Sequence, residues 1–152
     1  MAEPAMSPTS GGERVGRYTL YEEIAQGGMA SIYLARATLE PSARLYAIKR
    51  LHPHLAKDPA FVTTLLDEAR ATEAVRHRNV VSTVDVVASN GELMIVMDYV
   101  VGETVASLIE ATSRAGETIP PTIAAAILVD VLTGLHAAHE AVGANGEPLQ
   151  LI

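Results

Sequence analysis

The chain has 152 residues and a formal net charge of −7. Apolar residues make up 49% of it, enough for a sizeable core, which excludes general disorder. An acidic chain without a basic cluster argues against nucleic acid and anionic membrane as main partners, and the absence of cysteine removes disulfides, thiolate metal sites and cysteine nucleophiles. Zero cysteine fits a reducing compartment, and a cytoplasmic location is expected. The first residues lack the basic and apolar regions of a secretory signal. The longest apolar run, 123–135, is interrupted by Asp130, Thr133 and Gly134, so no membrane-spanning segment is expected.

In chain order, residues 1–16 read as a disordered leader, small, polar and rich in Pro, Ser and Gly. Strands are expected over 18–24, 31–35 and 45–51. Gln26-Gly27-Gly28 forms the turn of the first hairpin and Glu40-Pro41-Ser42 the next loop. A helix then starts at Pro59, a residue suited to the first helical position, behind Asp58 as N-cap, and runs to about Val75. Strands over 83–88 and 93–100 flank a Ser89-Asn90-Gly91 turn. A short helix near 105–113, a long Ala-rich helix over 121–142, a loop over 143–148 and a strand from Leu149 complete the chain. The fold class is therefore α+β, with a small antiparallel sheet of five strands.

Three features carry chemistry. The hairpin tip Ala25-Gln-Gly27-Gly28-Met-Ala30-Ser-Ile32 is built of small residues that let backbone N–H groups approach an anion, or else simply make a flexible turn. Lys49 lies beside Ile48 on a mostly apolar strand. Of the eleven cations nine are Arg and two are Lys, so a Lys inside an apolar strand calls for a specific reason. A buried ammonium must find a negative partner or lose its proton, whereas on an edge strand the same Lys would reach solvent. Glu68 is the third. At about 100° per residue, with Phe61 at zero, Leu65 falls near 40°, Thr72 near 20°, Val75 near −40° and Glu68 near −20°. That places a carboxylate in the middle of the expected apolar face, where it needs a cation, and Lys49 would meet that need. A buried ion pair with no further role explains the same two residues. His136 and His139 have helical spacing without the zinc signature H-E-x-x-H, and His52 and His54 have no third ligand near them in sequence.

These residues together resemble the N-terminal part of a eukaryotic-like (Hanks-type) bacterial serine/threonine protein kinase. Ala25, Gly27, Ala30 and Ile32 stand at the four fixed positions of the glycine-rich pattern G-x-G-x-x-G-x-V. Ala47-Ile48-Lys49 resembles the V-A-I-K strand, and Glu68, followed by His77-Arg78-Asn79-Val80-Val81, the helix glutamate and the turn behind it. Residues 95–100 resemble the last strand of the N-terminal lobe and the hinge. The likeness covers 17–152. It implies a kinase N-lobe of five strands and one helix with the hinge over 17–100, and the start of the C-lobe over 101–152. It implies ATP as phosphoryl donor, held by the loop of Gly27 and Gly28 and by Lys49 on its phosphates, with Glu68 fixing Lys49. Met97 would be the gatekeeper, the Asp98 and Val100 backbones would meet adenine, and a protein substrate would receive the phosphoryl group.

The departures are as specific. Two of three loop glycines are Ala25 and Ala30, which would be strained if those positions need a positive φ. The sequence contains no H-R-D-x-x-x-x-N, D-F-G or A-P-E, and His77-Arg78-Asn79 is no substitute, since its third residue is Asn. The Mg²⁺ ligands and the catalytic base are therefore expected beyond residue 152, and the chain reads as a truncated kinase domain, inactive alone. A pseudokinase-like binding or regulatory module is the alternative. An α+β interaction domain with coincidental motifs is the third reading.

Overall fold

The sheet is antiparallel throughout and grows from strands whose side chains alternate between two packed faces. In this computed structural model residues 12–39, 44–89, 91–143 and 146–149 are described; the side chains of Glu68, Ala71, Thr72 and Ser89 are not among them. Six strands, β1 (Glu13–Val15), β2 (Tyr18–Gln26), β3 (Ala30–Ala37), β4 (Tyr46–Leu51), β5 (Thr83–Ser89) and β6 (Glu92–Asp98), lie in the order β1-β2-β3-β4-β6-β5. Three helices accompany them: α1 (Pro59–Ala74), α2 (Val105–Arg114) and α3 (Pro121–His139).

The sixth strand corrects the sequence reading. Residues 13–15, expected at the end of a disordered leader, pair with β2 through Glu13↔Leu20, Arg14↔Thr19 and Val15↔Tyr18. Val15 is buried, and Gly16 turns the chain with a φ of 55°, in the left-handed region that glycine adopts without strain. Residues 1–11 of the expected leader, the Glu40-Pro41-Ser42 loop, Asn90 and the last three residues of the expected final strand lie outside the described residues. Of the segment expected as that strand and the loop before it, Pro148 makes a single bridge with Val142.

Two clusters use opposite faces of the sheet. On one, Tyr18, Leu20, Ala35, Tyr46, Ile48, Met94 and Val96 form a core with Val15, and the Tyr18 and Tyr46 rings meet edge to face at 5.5 Å. On the other, Leu51, Leu93 and Ile95 pack against Leu65 and Ala69 of α1. The α1 start matches its signals: the Asp58 carboxylate accepts from the Ala60 N–H at 2.9 Å and Pro59 opens the helix. Its packed stripe differs from expectation. Among the described residues Phe61, Val62, Leu65, Leu66 and Ala69 pack there, from about 0° to about 140° on the same wheel, so the packed side reaches beyond the expected face. Val75, which drew the expected face toward Glu68, is buried but stands past the end of the helix.

The chain divides into two compact units, one running to Ala69 and including Thr83–Tyr99, the other made of Arg70–Ser82 with the residues from Val100 onward. Within the second unit the turn after α1 is tied to α3. Asn79 donates from its side-chain amide to the Asp130 carbonyl at 2.8 Å, the Asp130 carboxylate at 3.1 Å and the Thr133 hydroxyl at 2.9 Å. Gly134 lies so near that a Cβ there would stand 3.0 Å from the Asn79 carbonyl oxygen. The remaining surface of α3 is open: Gly134 is its one buried residue among those described. The helix is apolar around much of its circumference, yet Leu128 and Leu132 are each 60% exposed. The helix extends past the run 123–135, and by length and composition it is long and apolar enough to cross a membrane. Core helices of soluble domains can have the same length and composition.

Candidate nucleotide site

The register of the first unit gathers the sequence-selected residues. Ala25 pairs with Ile32, Ile32 with Lys49, and Lys49 with Ile95, a row that crosses β2, β3, β4 and β6. One step along, Leu34 pairs with Ala47 and Ala47 with Met97. Directly paired residues share a face and residues two apart on a strand do too. Ala25, Ile32, Ala47, Lys49 and Met97 therefore lie on one side of the sheet, the side that carries α1. Met97 packs against the α1 cluster. A small cleft on this side is lined by Met29 and Ala30 of the loop, Lys49 and Leu51 of β4, and Phe61, Thr64 and Leu65 of α1. Among the described residues Lys49 is the one charged group on its wall.

The loop is a tight hairpin end. Gln26 pairs with Ser31, the Gly27 N–H donates to the Ala30 carbonyl at 2.9 Å, and the Met29 carbonyl accepts from the His52 N–H at 3.0 Å, which ties the tip to the end of β4. Neither Gly27 nor Gly28 takes a left-handed φ. A Cβ on Gly27 would make ordinary contact at 3.5 Å, and one on Gly28 would meet nothing within 4 Å. The fold of the loop itself does not require either glycine. Ala25 and Ala30 both lie in extended strand, β2 and β3, so the strain expected of alanine at those two positions is not present.

The other residues are placed as follows. Glu68 lies in α1, and its side chain, with the expected pairing to Lys49, is outside the described part. Asp98 ends β6 opposite Tyr46, and its carboxylate pairs with Arg44. Val100 is exposed and belongs to the second unit. Among the described residues no group of three or more His, Asp or Glu is placed to hold a metal ion.

Sequence reasoning missed two ionic clusters on the opposite face. Arg50, next to Lys49 on β4, forks onto Glu13 at 2.7 and 3.0 Å and onto Glu92 at 2.7 and 2.8 Å. Donating hydrogen bonds to Glu13 and then to Glu92 raises the pKa of its guanidinium, which burial alone would lower. Arg17 pairs with Asp85 at 2.8 Å, and the Tyr18 hydroxyl donates to Asp85 at 3.1 Å while accepting from Arg17. Burial pushes the Tyr18 hydroxyl above its ordinary pKa, against the hydrogen bond from Arg17. Period-two alternation signals that Arg50 faces away from Lys49, but nothing local names Glu13 as its partner.

A sheet of this order with one helix on the lysine side defines the small lobe of a kinase. Residues 18–142 match the family model described as the protein kinase domain. Among relatives, the chain is 34% identical over 138 residues to "Tyrosine-protein kinase MasK" of Myxococcus xanthus, covering 90% of this chain and 21% of that one. It is 36% identical over 129 residues to "Serine/threonine-protein kinase PksC" of Streptomyces coelicolor, covering 82% and 23%. The crystal structure of the Mycobacterium tuberculosis PknI kinase domain superposes with a TM-score of 0.68 at 25% identity, covering 86% of this chain and 51% of that one. The chain belongs to the protein kinase domain family, in its bacterial Hanks-type branch. It spans about a fifth of the length of these two curated relatives and about half of the solved kinase domain.

Proposed function

We propose that this chain supplies the nucleotide-binding part of a protein kinase that moves the γ-phosphoryl group of ATP to serine or threonine of a protein substrate. The observation that carries it is Lys49, held on the α1 side of β4 in a cleft roofed by Met29 and Ala30. An ammonium there can bind the α- and β-phosphates as a point charge, and a loop of small residues can bring backbone donors over them. Glycines that the loop does not need for its own conformation fit a role in close approach to a ligand. Glu68, in α1, would hold Lys49 by a charge-assisted hydrogen bond. Met97, on the same sheet face, would border adenine, and the backbones of Asp98 and Val100 would hydrogen-bond it. ATP as donor favours the cytoplasm.

Serine or threonine is preferred over tyrosine because PksC is named a serine/threonine kinase and so are PkaB of Streptomyces coelicolor and PrkC of Bacillus subtilis, against MasK. The substitutions Ala25 and Ala30 favour the pseudokinase reading slightly and the retained Lys49 and Glu68 oppose it; both alanines lie in extended strand, where alanine is unstrained. The catalytic base and the Mg²⁺ ligands are absent from residues 1–152, as the missing H-R-D and D-F-G motifs indicate, so this chain alone would not transfer phosphate.

The test is Lys49→Met in the full polypeptide that carries this sequence. Radiolabel transfer from ATP to a protein substrate should vanish while the thermal melt stays close to that of the parent. Full transfer by the variant overturns the reading. A melt lowered by about 3–5 kcal/mol together with unchanged nucleotide affinity would make Lys49 half of a plain buried ion pair.

A further inference from the structure

From the outer face of the sheet, the face opposite α1, we infer that the ionic clasp of Glu13, Arg50 and Glu92 positions the phosphate-binding side of the site by fixing how tightly the sheet curls. The inference rests on the nucleotide reading above. Along a flat sheet β1 and β4 are three inter-strand spacings apart, about 14 Å at about 4.8 Å each. Yet the Glu13 carboxylate of β1 meets the Arg50 guanidinium of β4 in a two-pronged contact at 2.7 and 3.0 Å. The sheet is therefore rolled so that β1 comes over its outer face. At the far edge a Cβ on Gly16 would stand 3.3 Å from Val87 of β5, and Arg17 reaches Asp85 of the same strand at 2.8 Å. The segment that closes the roll is shaped for it. A Cβ on Gly12 would lie 2.1 Å from the Leu20 carbonyl oxygen, so only glycine fits there.

The roll sets one distance that the site depends on. The loop of residues 27–30 hangs from β2 and β3, and Lys49 stands on β4. Rolling β1 and β2 relative to β4 and β6 tilts the hairpin toward or away from the lysine. Arg50 stands next to Lys49 with its side chain on the opposite face, and it is tied at once to the first strand and to β6. The core on that face is apolar and fixes no particular curl by direction, whereas a forked guanidinium between two carboxylates does. Glu13, Arg50 and Glu92 are thus positioning residues: none touches the nucleotide, and each acts through the gap between loop and Lys49.

The experiment titrates a fluorescent ATP analogue and the matching adenosine analogue into the full polypeptide that carries this sequence and into its Glu13→Gln, Glu92→Gln and Lys49→Met variants. Each Gln variant keeps size and removes one carboxylate charge from the clasp. ATP affinity should fall by about fivefold in each Gln variant, within the range by which residues that touch neither ligand modulate a site. Adenosine affinity should stay unchanged, because the loop and Lys49 act on phosphates. Should a Gln variant not fold, Arg50→Lys keeps the charge, loses the fork and should show the same selective loss. If Lys49→Met weakens ATP while both Gln variants bind as the parent does, the inference is overturned and the nucleotide reading stands. If ATP and adenosine weaken together, the clasp is merely structural and the inference is overturned. If Lys49→Met leaves ATP affinity intact, the nucleotide reading fails and takes the inference with it.

Discussion

The six-stranded sheet with α1 and the pair of helices α2 and α3 treat apolar residues in opposite ways. Each face of the sheet closes over a cluster, and Ile48 and Val96 are almost wholly withdrawn from water. Helix α2 buries no residue, and α3 leaves Ile123, Leu128, Val129, Val131 and Leu132 about half exposed or more. Alternation lets a curled sheet satisfy both of its faces with one helix and its own rolled edge. A helix apolar around much of its circumference needs neighbours on several sides, and here its specific hold is the Asn79 contact. An apolar segment is thus stabilised by what surrounds it and not by its composition.

The coarsest way to break this contrast is association. Residues 1–152 at tens of micromolar should sediment as oligomers or aggregates, because the open face of α3 is a contiguous apolar surface. Leu128→Glu with Leu132→Glu should shift the chain toward monomer. A parent chain that sediments as a clean monomer removes the contrast altogether.

Truncation comes next in size. Ile48→Ala should cost about 2–5 kcal/mol in denaturant unfolding of the sheet unit, since it empties a site that is 1% exposed. Leu132→Ala should change stability by no more than about 0.5 kcal/mol. Equal costs would mean that α3 is covered in solution.

Asn79→Ala should cost about 0.5–1.5 kcal/mol, by removing the donor that Asp130 and Thr133 share. Hydrogen exchange should then speed up in 75–82 and at the middle of α3 while the sheet amides keep their protection. Loss of protection in β4 and β6 instead would assign Asn79 to the sheet.

The smallest effect is at alkaline pH. Tyr18 holds its proton more tightly folded than unfolded, so its contribution is fully present below pH 10.0, its ordinary value, and is lost as the pH rises past it toward the folded value. Tyr18→Phe should flatten that part of the stability curve. An equally steep alkaline fall in Tyr18→Phe would place the titrating group elsewhere.

How much of this was legible beforehand follows from the range over which each signal acts. Five strands, three helices, the Asp58 cap and Lys49 on an alternating strand depend on neighbours one to four residues away, and the motifs they form sufficed for the kinase resemblance. Glu13–Arg50, Tyr18–Asp85 and Asn79–Asp130 join residues 37, 67 and 51 positions apart, and no local period encodes them. The strand at 13–15 is too short to show alternation, and it exists because β2 offers it an edge. The packing of α1 extends beyond the expected face, to Val62, Leu66 and Ala69, for the same reason. Composition along a helix says which residues are apolar, but only the sheet beneath chose Leu65 and Ala69 as the line of contact, and only the end of the helix at Ala74 separated Val75 from it. Sequence determined the elements and the family because local conformation and motif spacing are written in adjacent residues. Tertiary structure alone decided the curl, the clasp and the open face of α3, because each depends on which distant surfaces meet.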